Sequence, residues 1–235
     1  EMCIRDRLSD HYSMDLSKDG GLIHVFQPGM VYLTATAKNY SGRTYTFTKD
    51  IVIYPVMQIT VNTPDYVHTD KPFSVTTTLS ENVTQQLNWH VYLDGKEVVW
   101  QEHVEGTLDN SGGSIRLRKA GNYTFKAVAY DITSRAYYGA AKLISLPVVG
   151  LDLDIPSNTH TDTGVNVALQ TTNLGDLNVK WTLLHDKEAM DLAEASEHEL
   201  SNEGGFLRIL KKGSYELCAE VVDPSGRTFS QSAPI

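Results

Sequence analysis

Gly121-Asn-Tyr-Thr-Phe-Lys-Ala-Val-Ala-Tyr130-Asp-Ile-Thr-Ser-Arg135-Ala-Tyr137 alternates in strict phase and then breaks. Tyr123, Phe125, Ala127 and Ala129 fall on one side, and Thr124, Lys126, Val128 and Tyr130 on the other. A period of two with one apolar face predicts a half-buried strand. Ile132-Thr-Ser-Arg135 supplies a turn, and a second alternating run follows, so the stretch reads as a hairpin. The chain writes this pattern twice more. Val31, Leu33, Ala35 and Ala37 lead into Tyr40-Ser-Gly-Arg43, and Tyr215, Leu217, Ala219 and Val221 lead into Pro224-Ser-Gly-Arg227. Gly29, Gly121 and Gly213 stand one interval of 92 residues apart, as do Arg43, Arg135 and Arg227. Trp89 and Trp181, Pro55 and Pro147, and His68 and His160 keep the same interval. A repeat this long can bury its own core, so the reading is tandem domains rather than a solenoid of small units.

Upstream of the hairpin the repeat continues in the same style. Phe73–Leu79 and Val165–Thr171 alternate, and Leu87-Asn-Trp89-His-Val91-Tyr-Leu93 and Val179-Lys-Trp181-Thr-Leu183 carry a tryptophan expected to fill a core. Asp94-Gly95 and Asp186 are expected to form the turns that follow. About seven short strands per repeat with frequent turn signals predict a β-sandwich. Lys187–Leu200 is rich in helix formers, but its counterpart from Glu97 reads as strand and loop. Strand plus loop with at most a helical turn is expected there.

Two proline positions set the boundaries. Ile51-Val-Ile-Tyr-Pro55 and Leu143-Ile-Ser-Leu-Pro147 each place a break between strands, where proline costs no ladder bond. The expected organisation is residues 1–54 as the C-terminal half of a truncated domain, then complete domains over 55–146 and 147–235. Glu1–Arg7 shares nothing with the matching part of the second repeat, and is expected to be a translated adapter scar with the protein longer at both ends. With almost no linker, neighbouring domains are expected to be stiffly joined.

Composition narrows the function classes. The chain of 235 residues is 41% hydrophobic with a net charge of −9, which argues against nucleic acid and anionic membranes. No apolar run reaches the length of a membrane span, so no membrane insertion is expected. Cys3 and Cys218 are too few for a disulfide framework.

The tryptophan strand running into Asp94-Gly95-Lys96, together with Gly121-Asn-Tyr123 and Gly213-Ser-Tyr215 opening a later strand, resembles the immunoglobulin-like superfamily. More narrowly, the chain is similar over residues 8–235 to the bacterial immunoglobulin-like and PKD-like tandem repeats of large Firmicutes surface proteins. The Trp-Asp-Phe-Gly-Asp-Gly motif of PKD domains and the immunoglobulin disulfide are both missing. The resemblance implies an all-β fold of tandem immunoglobulin-like sandwiches.

Each candidate for chemistry has a structural explanation. His68-Thr-Asp70 and His160-Thr-Asp162 offer two ligand types, but read better as turns in which Asp and Thr bond the backbone. Asp131 and Asp223 sit where calcium-binding linkers place a carboxylate, yet the linkers around Pro55 and Pro147 bring no others. Arg43, Arg135 and Arg227 are expected to bond across their hairpins or to a neighbouring unit's carboxylate, a structural role that suits three copies. Gly112-Gly113 and Gly204-Gly205 precede strands, read as loops or bulges, and lack the helix N-terminus that phosphate binding needs. Tyr40, Tyr130, Tyr137, Tyr138 and Trp100 could make a sugar-stacking patch, with Trp100 replaced by Leu192 in the third repeat. Sequons at Asn39, Asn82 and Asn122 carry little meaning in a bacterial protein. No nucleophile–base motif occurs. The expectation is therefore no catalytic, cofactor or metal residues and no cofactor. A non-catalytic structural and adhesive stalk, outside the cell on the surface or wall, fits best. Its modules would be monomeric in series, with any host protein or glycan bound by other domains. The alternative is an accessory spacer or a carbohydrate- or protein-binding module of a secreted multidomain enzyme.

Overall fold

The computed structural model describes residues 12–17, 19–80 and 86–235. Glu1–Arg7, with Cys3, and Asn82 lie outside the described residues. The first repeat contributes β1 (Tyr12–Ser17), β2 (Gly20–Val25), β3 (Gly29–Lys38) and β4 (Thr44–Ile53). The second contributes β5 (Ile59–Asn62), β6 (Tyr66–His68), β7 (Phe73–Leu79), β8 (Asn88–Leu93), β9 (Lys96–Glu97), the one-turn helix α1 (Trp100–His103), β10 (Val104–Glu105), β11 (Gly112–Leu117), β12 (Gly121–Tyr130) and β13 (Ala136–Leu146). The third contributes β14 (Gly150–Asp154), β15 (Val165–Thr172), β16 (Lys180–His185), β17 (Glu188–Met190), α2 (Leu192–Ala195), β18 (Ser196–Ser201), β19 (Gly204–Ile209), β20 (Tyr215–Val222) and β21 (Thr228–Pro234). Moved by one repeat, β8 and β11 land end to end on β16 and β19. Pro55 and Pro147 both fall between strands.

Two compact units result. One gathers the described parts of residues 1–59 and 79–85 with 130–137, and the other gathers 60–78, 86–129 and 138–235. In the first, β1 pairs with β2 and β3 with β4 as separate two-stranded antiparallel sheets. Ala35 and Ala37, expected to face a core, are exposed, whereas their counterparts Ala127, Ala129, Ala219 and Val221 are buried. A second sheet covers the residues in those later repeats, while β3 and β4 form a sheet of only two strands.

In the second unit the sheet orders are β10-β11-β7-β5 and β6-β13-β12-β8-β9, then β14-β15-β19-β18 and β17-β16-β20-β21. The second pair repeats the first, except that β6, which runs parallel to the end of β13, has no counterpart. Tyr123, Phe125 and Ala127, and likewise Tyr215, Leu217 and Ala219, turn inward as their phase requires. Each large side chain so buried stabilises by about 1.5–3 kcal/mol. Leu183, Leu207 and Leu217 lose all solvent contact at the centre of the third repeat.

Three expectations change. Trp89 and Trp181 are half-buried rather than buried, because each indole N–H must reach a backbone carbonyl, of Asp109 at 3.2 Å and of Ser201 at 3.0 Å. The helix formers of Lys187–Leu200 give strand with one helical turn, as expected, but the second repeat, whose sequence read as strand and loop, adopts the same turn at α1. The glycine pairs open strands β11 and β19 rather than forming loops. At Gly112 and Gly204 a Cβ would overlap the Val75 and Val167 carbonyl oxygens of the adjacent strand, so only glycine lets the strands pair that closely.

Candidate functional site

The turn after each long strand is built the same way three times. In the third repeat the Asp223 Oδ1 accepts hydrogen bonds from the Ser225 amide (2.9 Å), the Ser225 hydroxyl (2.6 Å) and the Arg227 amide (3.1 Å). Asp131 receives the same three from Thr133 and Arg135, and Asn39 from Ser41 and Arg43. A short side-chain oxygen that reaches the amides two and four residues on is what makes Asp and Asn good turn formers here. The arginine that closes each turn lays its guanidinium over the aromatic ring two residues on: Arg43 on Tyr45, Arg135 on Tyr137 and Arg227 on Phe229, at 5.5, 5.3 and 4.7 Å. The turn thus presents a carboxylate or amide and a cation side by side on a rigid base.

His68 and Asp70 meet the third of these turns. Parallel pairing of β6 with Ile144–Leu146 carries His68 beside the end of β13, and the Thr69 amide donates to the Leu146 carbonyl. A tight turn follows, closed by Lys71 N–H to the His68 carbonyl. From there His68 Nε2 lies 2.6 Å from Asp223 Oδ2. Arg227 donates from both terminal nitrogens to the two Asp70 oxygens, each at 2.9 Å. The His68 ring also packs edge-on against Phe229. The Asp223 side chain is only 3% exposed, so its second oxygen would be a buried unpaired acceptor without His68. The bidentate Arg227–Asp70 pair fixes orientation as well as distance. Two residues of the second repeat thereby clamp two residues of the third across the short stretch around Pro147.

This corrects the reading of His68-Thr-Asp70 as a turn whose Asp serves the backbone: the turn is there, but its carboxylate goes to Arg227. Arg227 does reach a neighbouring repeat's carboxylate. Among the described residues, no group of three His, Cys, Asp or Glu is placed to hold a metal. Two of the aromatics that could make a sugar-stacking patch are committed elsewhere. Tyr137 is buried with its hydroxyl donating to Asp131 Oδ2 (3.1 Å), and half-buried Trp100 packs on Phe125 and donates to the Gly106 carbonyl. Tyr40, Tyr130 and Tyr138 are exposed. Asp94 and Asp186 occupy turns with positive φ as expected, and Asp94 also accepts from Asn122. Cys218 is unpaired and half-buried, and burial next to Glu220 and Glu216 pushes its thiol up.

The clamp is electrostatically satisfied. The Arg227 hydrogen bonds hold the Asp70 carboxyl below its ordinary value, and Arg227 is raised in return. At Asp223 burial pushes upward, but the bonds from His68, Ser225 and Arg227 outweigh it and the carboxyl ends below its ordinary value. A carboxyl depressed in the folded state contributes stability above its unfolded pKa and loses it as pH falls through the folded one. The stabilisation from the clamp is therefore expected to be complete at neutral pH, to begin falling near the ordinary aspartate value of about 4, and to be lost as pH drops through the lower folded-state values. Urea midpoints of the full chain should drop more steeply through that window than those of the D70N/D223N variant. Equal slopes would show that these carboxyls do not carry the effect.

No family model and no curated protein matches the chain. Its similarity lies in structure. A three-domain fragment of titin, the I-band fragment I67–I69, superposes with a TM-score of 0.53 at 13% identity, covering 97% of this chain and 82% of that one. The fold is immunoglobulin-like. An E-to-A variant of the same titin domains gives a TM-score of 0.53 at 12% identity with the same coverage. Extracellular domains 3–5 of Drosophila OTK are also similar, at a TM-score of 0.48 and 13% identity, over 94% of this chain and 76% of that one. The immunoglobulin-like domains stand in tandem, as the 92-residue repeat anticipates, and no helix is long and apolar enough to cross a membrane among the described residues.

Proposed function

We propose that this chain is a segment of a non-catalytic structural and adhesive stalk, of the kind built from tandem immunoglobulin-like and PKD-like repeats in large bacterial surface proteins. Its modules span 55–146 and 147–235, preceded over 1–54 by the C-terminal half of another, and they stand outside the cell on the surface or wall. Any host protein or glycan is held by other parts of the protein. The observation that carries this reading is the two-point clamp. His68 and Asp70 grip Asp223 and Arg227 across a joint of a few residues, and a spacer module needs a fixed joint more than it needs a pocket. Short connections transmit orientation only when such contacts remove the remaining freedom, since interfaces within a chain otherwise allow domain motion.

Residual dipolar couplings of the full chain test this. One alignment tensor is expected to fit residues 55–146 and 147–235 together, and two tensors are expected in the H68A/D70A/R227A variant, with each sandwich intact. Independent tensors in the wild-type chain would remove the basis for a rigid stalk.

A further inference from the structure

A groove of about 780 Å³ opens on the flank of the second repeat, where β6 lies along the end of β13 and the turn after β8 meets the start of β12. Asp65, Tyr66, Asp94, Asn122, Thr124 and Lys142 line it, and Leu143 and Ile144 add an apolar wall. Main-chain bonds fix its frame. Ile144 N–H donates to the Asp65 carbonyl and Asp94 N–H to the Asn122 carbonyl, each at 2.8 Å. Asp94 Oδ1 accepts from the Asn122 main-chain and side-chain N–H groups at 3.1 and 3.0 Å, which leaves Oδ2 over. Among the described residues, Asp94 Oδ2, the Asp65 carboxylate, the Thr124 and Tyr66 hydroxyls and the Lys142 ammonium have no hydrogen-bond or ion-pair partner. Tyr66 and Ile144 are 41% and 37% exposed, so a ring and an aliphatic side chain stand open beside unspent donors and acceptors. Such a lining takes a ligand with apolar faces and polar edges. The groove does not recur. Ser157, Asn158, Ser214, Glu216 and Pro234 stand in the third repeat where the second has Asp65, Tyr66, Asn122, Thr124 and Lys142. The clamp residues recur because they serve the repeat, whereas a single ligand needs its site once.

We infer that this groove binds a short neutral oligosaccharide that carries acetamido groups. A pyranose ring has a C–H face to lay on Tyr66 and hydroxyls at its edge for Asp94 and Thr124. An acetamido group offers one acceptor, one donor and a methyl, which match Lys142, Asp65 and Ile144. Two carboxylates in the lining repel acidic sugars. An extended peptide would need a run of open main-chain groups, and the edge strand β6 has only three residues, Tyr66–His68. On the flank of a stalk module the groove meets the polysaccharide of the surface on which the chain stands, and that is the source assigned here. Only this source rests on the stalk reading. The dipolar couplings test the joint, and the following titration tests the groove.

Amide shifts of the full chain, followed by NMR during titration with chitotetraose to about 10 mM, are expected to move around Asp65, Asp94, Asn122 and Lys142, with a Kd of about 1 mM, as an open groove with few contacts gives. Raising the salt should leave that affinity unchanged, because the ligand is neutral. Y66A is expected to weaken binding about tenfold and K142A about threefold. Y138A, on an exposed ring outside the groove, should bind as the wild type does. Unmoved amides at His68 and Asp223 in Y66A would show that β6 and the clamp survive that substitution, and K142A leaves β6 untouched. Absent shifts, shifts elsewhere on the chain, or binding that either groove variant leaves unchanged overturn the inference. So does equal binding of maltotetraose, which has no acetamido group, or tighter binding of pentalysine, which would make the groove a cationic-peptide site. Tighter binding of lacto-N-neotetraose, a glycan of animal cell surfaces, overturns the assigned source.

Discussion

Gly204→Ala is expected to destabilise the third sandwich by roughly 4 kcal/mol, combining overpacking against a strand with a strained backbone. The added Cβ would overlap the Val167 carbonyl oxygen of β15, and φ at this residue is +95°, where an L side chain is disfavoured. Neither neighbour can yield cheaply, because β19 is hydrogen-bonded to β15 on one side and β18 on the other. Gly226→Ala separates the two causes. Its φ of +85° is equally left-handed, but nothing lies within 4 Å of the new atom. That variant should cost about 1 kcal/mol, the strain alone. Urea unfolding of the full chain reads both, and equal losses would show that strand contact adds nothing.

Asp223→Ala has the next largest expected effect, about 3 kcal/mol, for the loss of an acceptor that serves two backbone amides, a hydroxyl and His68. The first repeat supplies the control. Asn39 builds the same turn with an amide oxygen, so Asp223→Asn should preserve the turn and lose only the interaction with His68, at about 1 kcal/mol. If the asparagine variant is as unstable as the alanine one, the turn bonds are not what Asp223 contributes.

Most of the fold was legible because the chain states it repeatedly. The alternation at Tyr123–Ala129 recurs at Tyr215–Val221, and the inward set is buried in both, although Val128 of the outward set is buried as well. Phase, however, reports only which face a side chain takes. It did not reveal that Trp89 and Trp181 stay partly exposed, because the carbonyls their N–H groups need sit at the sandwich margin. It did not separate Tyr137, whose hydroxyl has an internal acceptor, from Tyr138, which is exposed. The clamp was half legible. His68-Thr-Asp70 and Arg227 each stood out by recurring, and a neighbour's carboxylate was among the readings for the arginine. Their pairing spans more than one repeat interval, so no local pattern joins them. The usable signal was complementarity: a histidine and an acid at one fixed place in the repeat, an acid and an arginine at another, both adjoining the ends where consecutive repeats meet.

The parallel pairing of β6 with β13 has a mechanical consequence. Ile144 N–H bonds the Asp65 carbonyl and Thr69 N–H bonds the Leu146 carbonyl, bracketing the last residues before the chain leaves at Pro147. Tension drawing Leu146 out along its own strand would strain both bonds at once, in shear, instead of peeling them one after the other. The exit of the second sandwich is therefore strongest in the direction in which a pulled tether would load it.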